Sequence, residues 1–100
     1  MSLPTYDWKN KKGTSNRFCK CGSWKNHWLK FSGKSWPEKC SVLHCCNIAT
    51  LGAHIINNDD NVSGEYIAPF CDSCNKLDDK FDLKSNTIVV SANIKETCEK

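Results

Sequence analysis

The stretch Tyr66-Ile67-Ala68-Pro69-Phe70-Cys71-Asp72-Ser73-Cys74-Asn75 decides how this chain folds. Its first half is apolar and reads as a strand, with Pro69 near the strand's end. Its second half sets two thiols three residues apart, and Asp72 between them suits the first turn of a helix. A Cys-x-x-Cys turn aims both sulfurs at one point, so the passage from strand to helix carries half of a tetrahedral metal site. Cys74, Leu77 and Phe81 share one face of the helix this spacing predicts, with Asp78, Asp79 and Lys80 turned away.

Upstream, Asn57 to Gly64 is a polar turn rich in Asn and Asp, and Ala49 to Ile56 reads as the partner strand of a hairpin. Before it, Cys40 to Cys46 is a loop of closely spaced thiols. Cys40-x4-Cys45 supplies the other two ligands. Cys46 is the neighbouring rival, and its plainer role is a small buried side chain. Two cysteine pairs separated by a hairpin, the second pair opening a helix, describe a treble clef. The expected fold is therefore a small zinc-stabilised α+β domain, with Cys40, Cys45, Cys71 and Cys74 around one zinc.

Eight cysteines in 100 residues fit a chain whose core is thin and needs a staple. The opening Met-Ser-Leu-Pro-Thr-Tyr-Asp-Trp lacks the apolar segment of a secretory signal. No run approaches the ~20 apolar residues of a membrane span. An intracellular, cytoplasmic protein is expected, in which thiols stay reduced and metal is favoured over disulfides. No membrane contact is expected, and the expected state is a monomer.

Four cysteines lie outside that site. Cys19-Lys20-Cys21 precedes Gly22, and glycine lets a backbone fold around sulfur. With Cys98 and one histidine these thiols would complete a second zinc site, so one or two zincs are expected. His54, on the strand Gly52-Ala53-His54-Ile55, is the first choice of imidazole. His27 is the alternative, and its plainer reading is a surface imidazole on a helix beside Trp28. That helix is marked by Trp24, Trp28 and Phe31 at i, i+4 and i+7 and ends before Gly33 and Pro37. Thr87 to Val90 reads as a last strand. Residues 1–17 read as a basic, partly flexible arm that Tyr6 and Trp8 could anchor, and 18–100 as the zinc domain, with its core at 40–81.

Charge divides along the chain. Residues 1–40 hold nine Lys and Arg against Asp7 and Glu38, giving +7; residues 41–100 hold five Lys against nine acids, giving −4. The basic third interleaves Lys9, Lys11, Lys12, Arg17, Lys25 and Lys30 with tryptophans, which suits nucleic acid or an acidic protein. Against this, tryptophans in so small a domain usually form its core, and lysines usually form a solvated surface. A zinc-held protein-interaction adaptor is the alternative binding role.

Residues 40–81 resemble the HNH, or ββα-metal, group of treble-clef domains. The likeness rests on the knuckle Cys40…Cys45, on Gly52-Ala53-His54-Ile55 and on the quoted stretch ending at Asn75. It implies metal-assisted phosphodiester hydrolysis, in which a strand histidine, here His54, activates water. In that group the catalytic metal is held by the residue before this histidine and by a histidine after the second cysteine pair. Here those positions are Ala53 and Asn75. The loop asparagine falls near Tyr66, with Asn57, Asn58 and Asn61 as loose substitutes. The resemblance therefore implies a retained fold with a dismantled nuclease site. A working nuclease is the alternative that must be tested.

Overall fold

The computed structural model describes residues 3–12, 22–59 and 61–93. Four antiparallel strands form one sheet in the order β1-β2-β3-β4: β1 (Trp8–Asn10), β2 (Leu51–Asn57), β3 (Tyr66–Phe70) and β4 (Val90–Ser91). Helix α1 (Trp24–Ser32) packs on one face, and a single helical turn, α2 (Asp72–Asn75), follows β3. The class is α+β, as the residue patterns predict.

The β2–β3 hairpin is the spine. Its register pairs Leu51 with Phe70, Ala53 with Ala68 and His54 with Ile67. Because side chains alternate across a strand, this register assigns every residue to one of two faces. Ala53, Ile55, Ala68 and Phe70 join Trp8, Phe81, Leu83 and the cysteines in one core. Ile67 and Val90 meet Trp28 in the other, with Trp24, Phe31 and Trp36 at its margin. His54 lies on the same face as Ile67.

Local chemistry sets the ends of α1. The Ser23 hydroxyl accepts the Asn26 N–H at 3.1 Å, and Gly33 at φ 67° donates its N–H to Leu29. The sequence expects this helix, but it places His27 on the surface. In the structure His27 is fully buried. The sheet covers a face of α1 wide enough to include it, between the rings of Trp24 and Phe31.

Three further expectations change. The helix after Cys71 lasts one turn, not three, and leaves Leu77 partly exposed. The buried Asn10 side chain donates to the carbonyls of Cys74 and Leu77, at 2.9 and 3.0 Å, and caps the turn from another strand. Phe81, expected on that helix, instead exchanges backbone hydrogen bonds with Trp8. Residues 3–12 pack on the sheet where an arm was expected. Trp8 is fully buried, and its ring N–H donates to the Pro4 carbonyl at 2.9 Å. The last strand is shorter than Thr87 to Val90 and begins at Val90.

Candidate metal centre

Two loops bring the four expected thiols together. Backbone bonds from Cys40 to the Asn47 carbonyl (2.8 Å) and from Cys45 to the Val42 carbonyl (3.0 Å) close the first into a knuckle. His44 takes the left-handed φ of 69° at its tip, a backbone that favours glycine. In the second, Cys71 is the N-cap of α2, and its sulfur accepts the Cys74 N–H at 3.4 Å. That bond is the local reason a Cys-x-x-Cys pair faces one way.

The Sγ atoms of Cys40, Cys45, Cys71 and Cys74 all lie within 4.8 Å of one another. Cys45 stands 3.8 Å from Cys71 and 3.7 Å from Cys74. A tetrahedron with Zn–S bonds of about 2.3 Å has edges of about 3.8 Å. These spacings fit four ligands around a metal ion and are far too long for a disulfide. Cys45 is the thiol of the knuckle tip that joins the cluster. Cys46 is exposed, not buried as expected, because the turn that points Cys45 inward sends its neighbour out.

The thiols differ electrically. Burial pushes Cys40 above its ordinary value, although backbone hydrogen bonds oppose the rise. Burial and then the neighbouring thiols of Cys71, Cys45 and Cys40 push Cys74 up strongly. Burial would raise Cys71 too, but it is outweighed there. The Cys74 backbone N–H, the Cys74 thiol, the Asn47 amide and Cys40 bring it down to about 7. One thiolate is thus favoured without metal, and a cation is what allows four to coexist.

Three polar contacts around the cluster are missed in the sequence reading. The Asn47 amide approaches the Cys71 sulfur at 3.8 Å. The Lys84 ammonium donates to the Cys45 carbonyl at 2.7 Å, and Lys39 donates to the Cys46 carbonyl at 3.3 Å. Four thiolates around a divalent ion carry a net −2, and two ammonium groups beside the knuckle offset it. Asn47 follows Cys46 directly, which is a weak local signal. Lys84 has none.

The other expected residues fall elsewhere. His54 is on the α1 side of the sheet, whereas the cysteine cluster packs with the opposite core. Ala53 is buried against that cysteine-side core. Lys9 lies on β1, with Lys11 and Lys12 just after it, and Lys12 pairs with Asp78. Lys25 and Lys30 lie on α1, with their ammonium groups 4.9 Å over the Trp36 ring and 5.3 Å over the Phe31 ring. Trp8 and Trp28 are core residues, which removes two of the candidate stacking rings. Cys19, Cys21, Cys98 and Arg17 lie outside the described residues. No helix among the described residues is long and apolar enough to cross a membrane.

Comparisons with protein-family models, curated proteins and solved structures find no match to this chain.

Proposed function

We propose that this chain is a zinc-stabilised binding domain of treble-clef type, related to the HNH group but without its nuclease chemistry, and that it binds nucleic acid. The observation that carries the zinc reading is the four-sulfur cluster, whose spacing matches a tetrahedral thiolate site. The knuckle, the β2–β3 hairpin and the turn opened by Cys71 follow in treble-clef order, although α2 is only one turn long. The zinc is structural, because four protein thiolates leave no open position for water or substrate.

Hydrolysis lacks support at the positions the resemblance requires. Ala53 has no ligand atom, and it faces the cysteine-side core while His54 faces α1. A hard divalent ion has no ligand set around His54 from those positions.

The nucleic-acid reading is supported by the basic first third and by the lysines of β1 and α1. Lys25 and Lys30 already lie over aromatic rings, and such sites retain charge while offering a flat apolar surface. Titration of the zinc-loaded protein with single- and double-stranded oligonucleotides at several salt concentrations tests the reading. Contacts from Lys9, Lys11, Lys25 and Lys30 would give a log–log salt slope of about −3 to −4. No binding at low salt removes the partner and leaves the zinc site standing.

A further inference from the structure

A cleft of about 440 Å³ opens between the segment that follows α1 and the segment that leads into β4. The backbone holds these two segments side by side. Val42 bridges Leu83, and the Lys84 N–H donates to the Ser41 carbonyl at 2.9 Å. Lys34 and Lys39 line the cleft from the first segment and Lys84 from the second, with Glu38 as the acid among the lining residues. Three ammonium groups against one carboxylate leave a formal +2.

None of those ammonium groups pairs with a carboxylate among the described residues. Lys84 and Lys39 are held instead by main-chain carbonyls, of Cys45 at 2.7 Å and of Cys46 at 3.3 Å. A neutral carbonyl positions an ammonium without cancelling its charge, and each ammonium keeps two further N–H donors. Lysines ordered in advance lower the entropic cost of binding an anion. Cys40 also lies in the wall, and a metal on its sulfur takes up part of the thiolate charge.

Ser41 is a second, independent sign. It lines the cleft and is 6% exposed. Its N–H donates to the Pro69 carbonyl at 2.9 Å, and its carbonyl accepts from the Lys84 N–H and, at 3.5 Å, from the Thr87 hydroxyl. Its own hydroxyl has no partner among the described residues, yet the oxygen is not sealed from solvent. A largely enclosed hydroxyl that no protein group bonds is open to an oxygen of a ligand.

We propose that this cleft binds a phosphate monoester, with its dianion on Lys34, Lys39, Lys84 and the Ser41 hydroxyl and its organic body against Pro37 and Ile88. A monoester carries about −1.5 to −2 at pH 7, which matches the lysine excess. The volume falls in the range of about 300–1,000 Å³ of small-ligand pockets, so a phosphoryl group alone would leave most of it unfilled. The site uses none of Lys9, Lys11, Lys25 and Lys30, and it does not depend on the nucleic-acid reading. The monoester has two sources, a free nucleotide or the terminal phosphate of a strand.

Amide NMR of the zinc-loaded chain, without free zinc, tests this with inorganic phosphate, a nucleoside monophosphate, and an oligonucleotide with or without a terminal phosphate. Shifts are expected at the Ser41, Lys84 and Thr87 amides, with the nucleotide binding tighter than phosphate. Lys34→Ala and Ser41→Ala should each weaken the nucleotide about tenfold, as loss of one charged hydrogen bond does. Lowering the pH from about 7.5 to about 5.5 protonates the monoester and should weaken it as well. Unmoved amides with every phosphate-bearing ligand overturn the proposal, as does unchanged affinity in both variants. Lys34 is exposed, so its variant decides even if Ser41→Ala fails to fold. A cleft response to the oligonucleotide only when it is terminally phosphorylated supports a strand end as the source. A response to the nucleoside monophosphate alone supports a free nucleotide. Oligonucleotide binding that leaves these amides unmoved, with or without the terminal phosphate, overturns the strand-end source and leaves the nucleic-acid reading standing; a cleft that takes the nucleotide in a chain without oligonucleotide affinity supports the proposal and removes that reading.

Discussion

On one face of the sheet, four sulfurs from two loops stand within 4.8 Å of one another, backed by Trp8, Phe70 and Phe81. On the other face, α1 lies on Gly52 with its aromatic rings around two histidines. The first face is a ligand problem. Three of its thiols are buried, and burial opposes the ionisation of Cys40 and Cys74. The second begins as a packing problem, with a capped helix and a glycine cut to fit. The difference teaches that a thin core can be completed by a cation on one side and by close helix contact on the other.

The largest effect should come from the cysteine face. Cys74→Ser, or chelation at neutral pH, should remove the bound metal and unfold that side. Apparent binding energies of about 10–16 kcal/mol for structural zinc at pH 7 far exceed what the remaining core can replace. Amide hydrogen exchange should show protection lost first at residues 40–48 and 71–75. Survival of that protection in metal-free protein would mean that the knuckle folds without an ion.

Core truncation ranks next. Trp8→Ala and Trp28→Ala remove one large ring from each face and should each cost about 3–5 kcal/mol by chemical denaturation. Their ring N–H bonds, to the Pro4 and Ile88 carbonyls, are lost as well. Only Trp8→Ala should weaken metal retention by the cluster, because only Trp8 packs with the cysteines.

Gly52→Ala sharpens the comparison from the other side. Its methyl group would meet the Trp24 backbone at 2.8 Å, and Ile67 at 2.9 Å, so α1 must shift. A cost of about 1–3 kcal/mol is expected, with near-ultraviolet circular dichroism of the tryptophans altered and the four-cysteine metal retained.

The pH dependence separates the two forms of the cysteine face. If the cysteine face stays folded without metal (the alternative outcome of the exchange experiment), the folded Cys71 value, about 7, lies below the ordinary 9.0. Its thiolate therefore adds stability in full above pH 9, and this is lost as pH falls through about 7. Cys40 and Cys74 shift upward and act oppositely, adding stability below pH 9 and losing it as pH rises. With metal present, protons compete for all four thiolates, so zinc affinity should fall as pH is lowered from about 8 to about 6. A competitive chelator titration reads this, and a flat profile would contradict thiolate ligation.

The smallest effect concerns the exposed lysines. Lys30→Ala should leave folding unchanged and reduce the salt slope of nucleic-acid binding by about 1. An unchanged slope would move the interface away from α1.

Much of the site was legible. Cys71-x-x-Cys74 and Cys40-x4-Cys45 could be read as a ligand set because spacing along a turn determines where sulfurs point. The hairpin could be read from its two apolar runs either side of the polar Asn57 to Gly64 turn, and α1 from Trp24, Trp28 and Phe31. The choice of Cys45 over Cys46 rested on thinner ground. In the structure Cys45 joins the cluster and Cys46 is exposed, beside a left-handed backbone at His44 that adjacent residues do not announce.

By itself the sequence determined the make-up of the four-thiol cluster, the two central strands and the capped helix, because each depends on neighbours within a few residues. Tertiary structure alone decided the rest. Asn10 reaches from β1 to the Cys74 carbonyl of α2 and to the Leu77 carbonyl beyond its end, and Phe81 leaves the expected helix to pair with Trp8. Lys84 reaches the knuckle carbonyl from 39 residues away. The buried place of His27 depends on how much of α1 the sheet covers. Each of these rests on partners distant in the chain, and no local pattern carries that information.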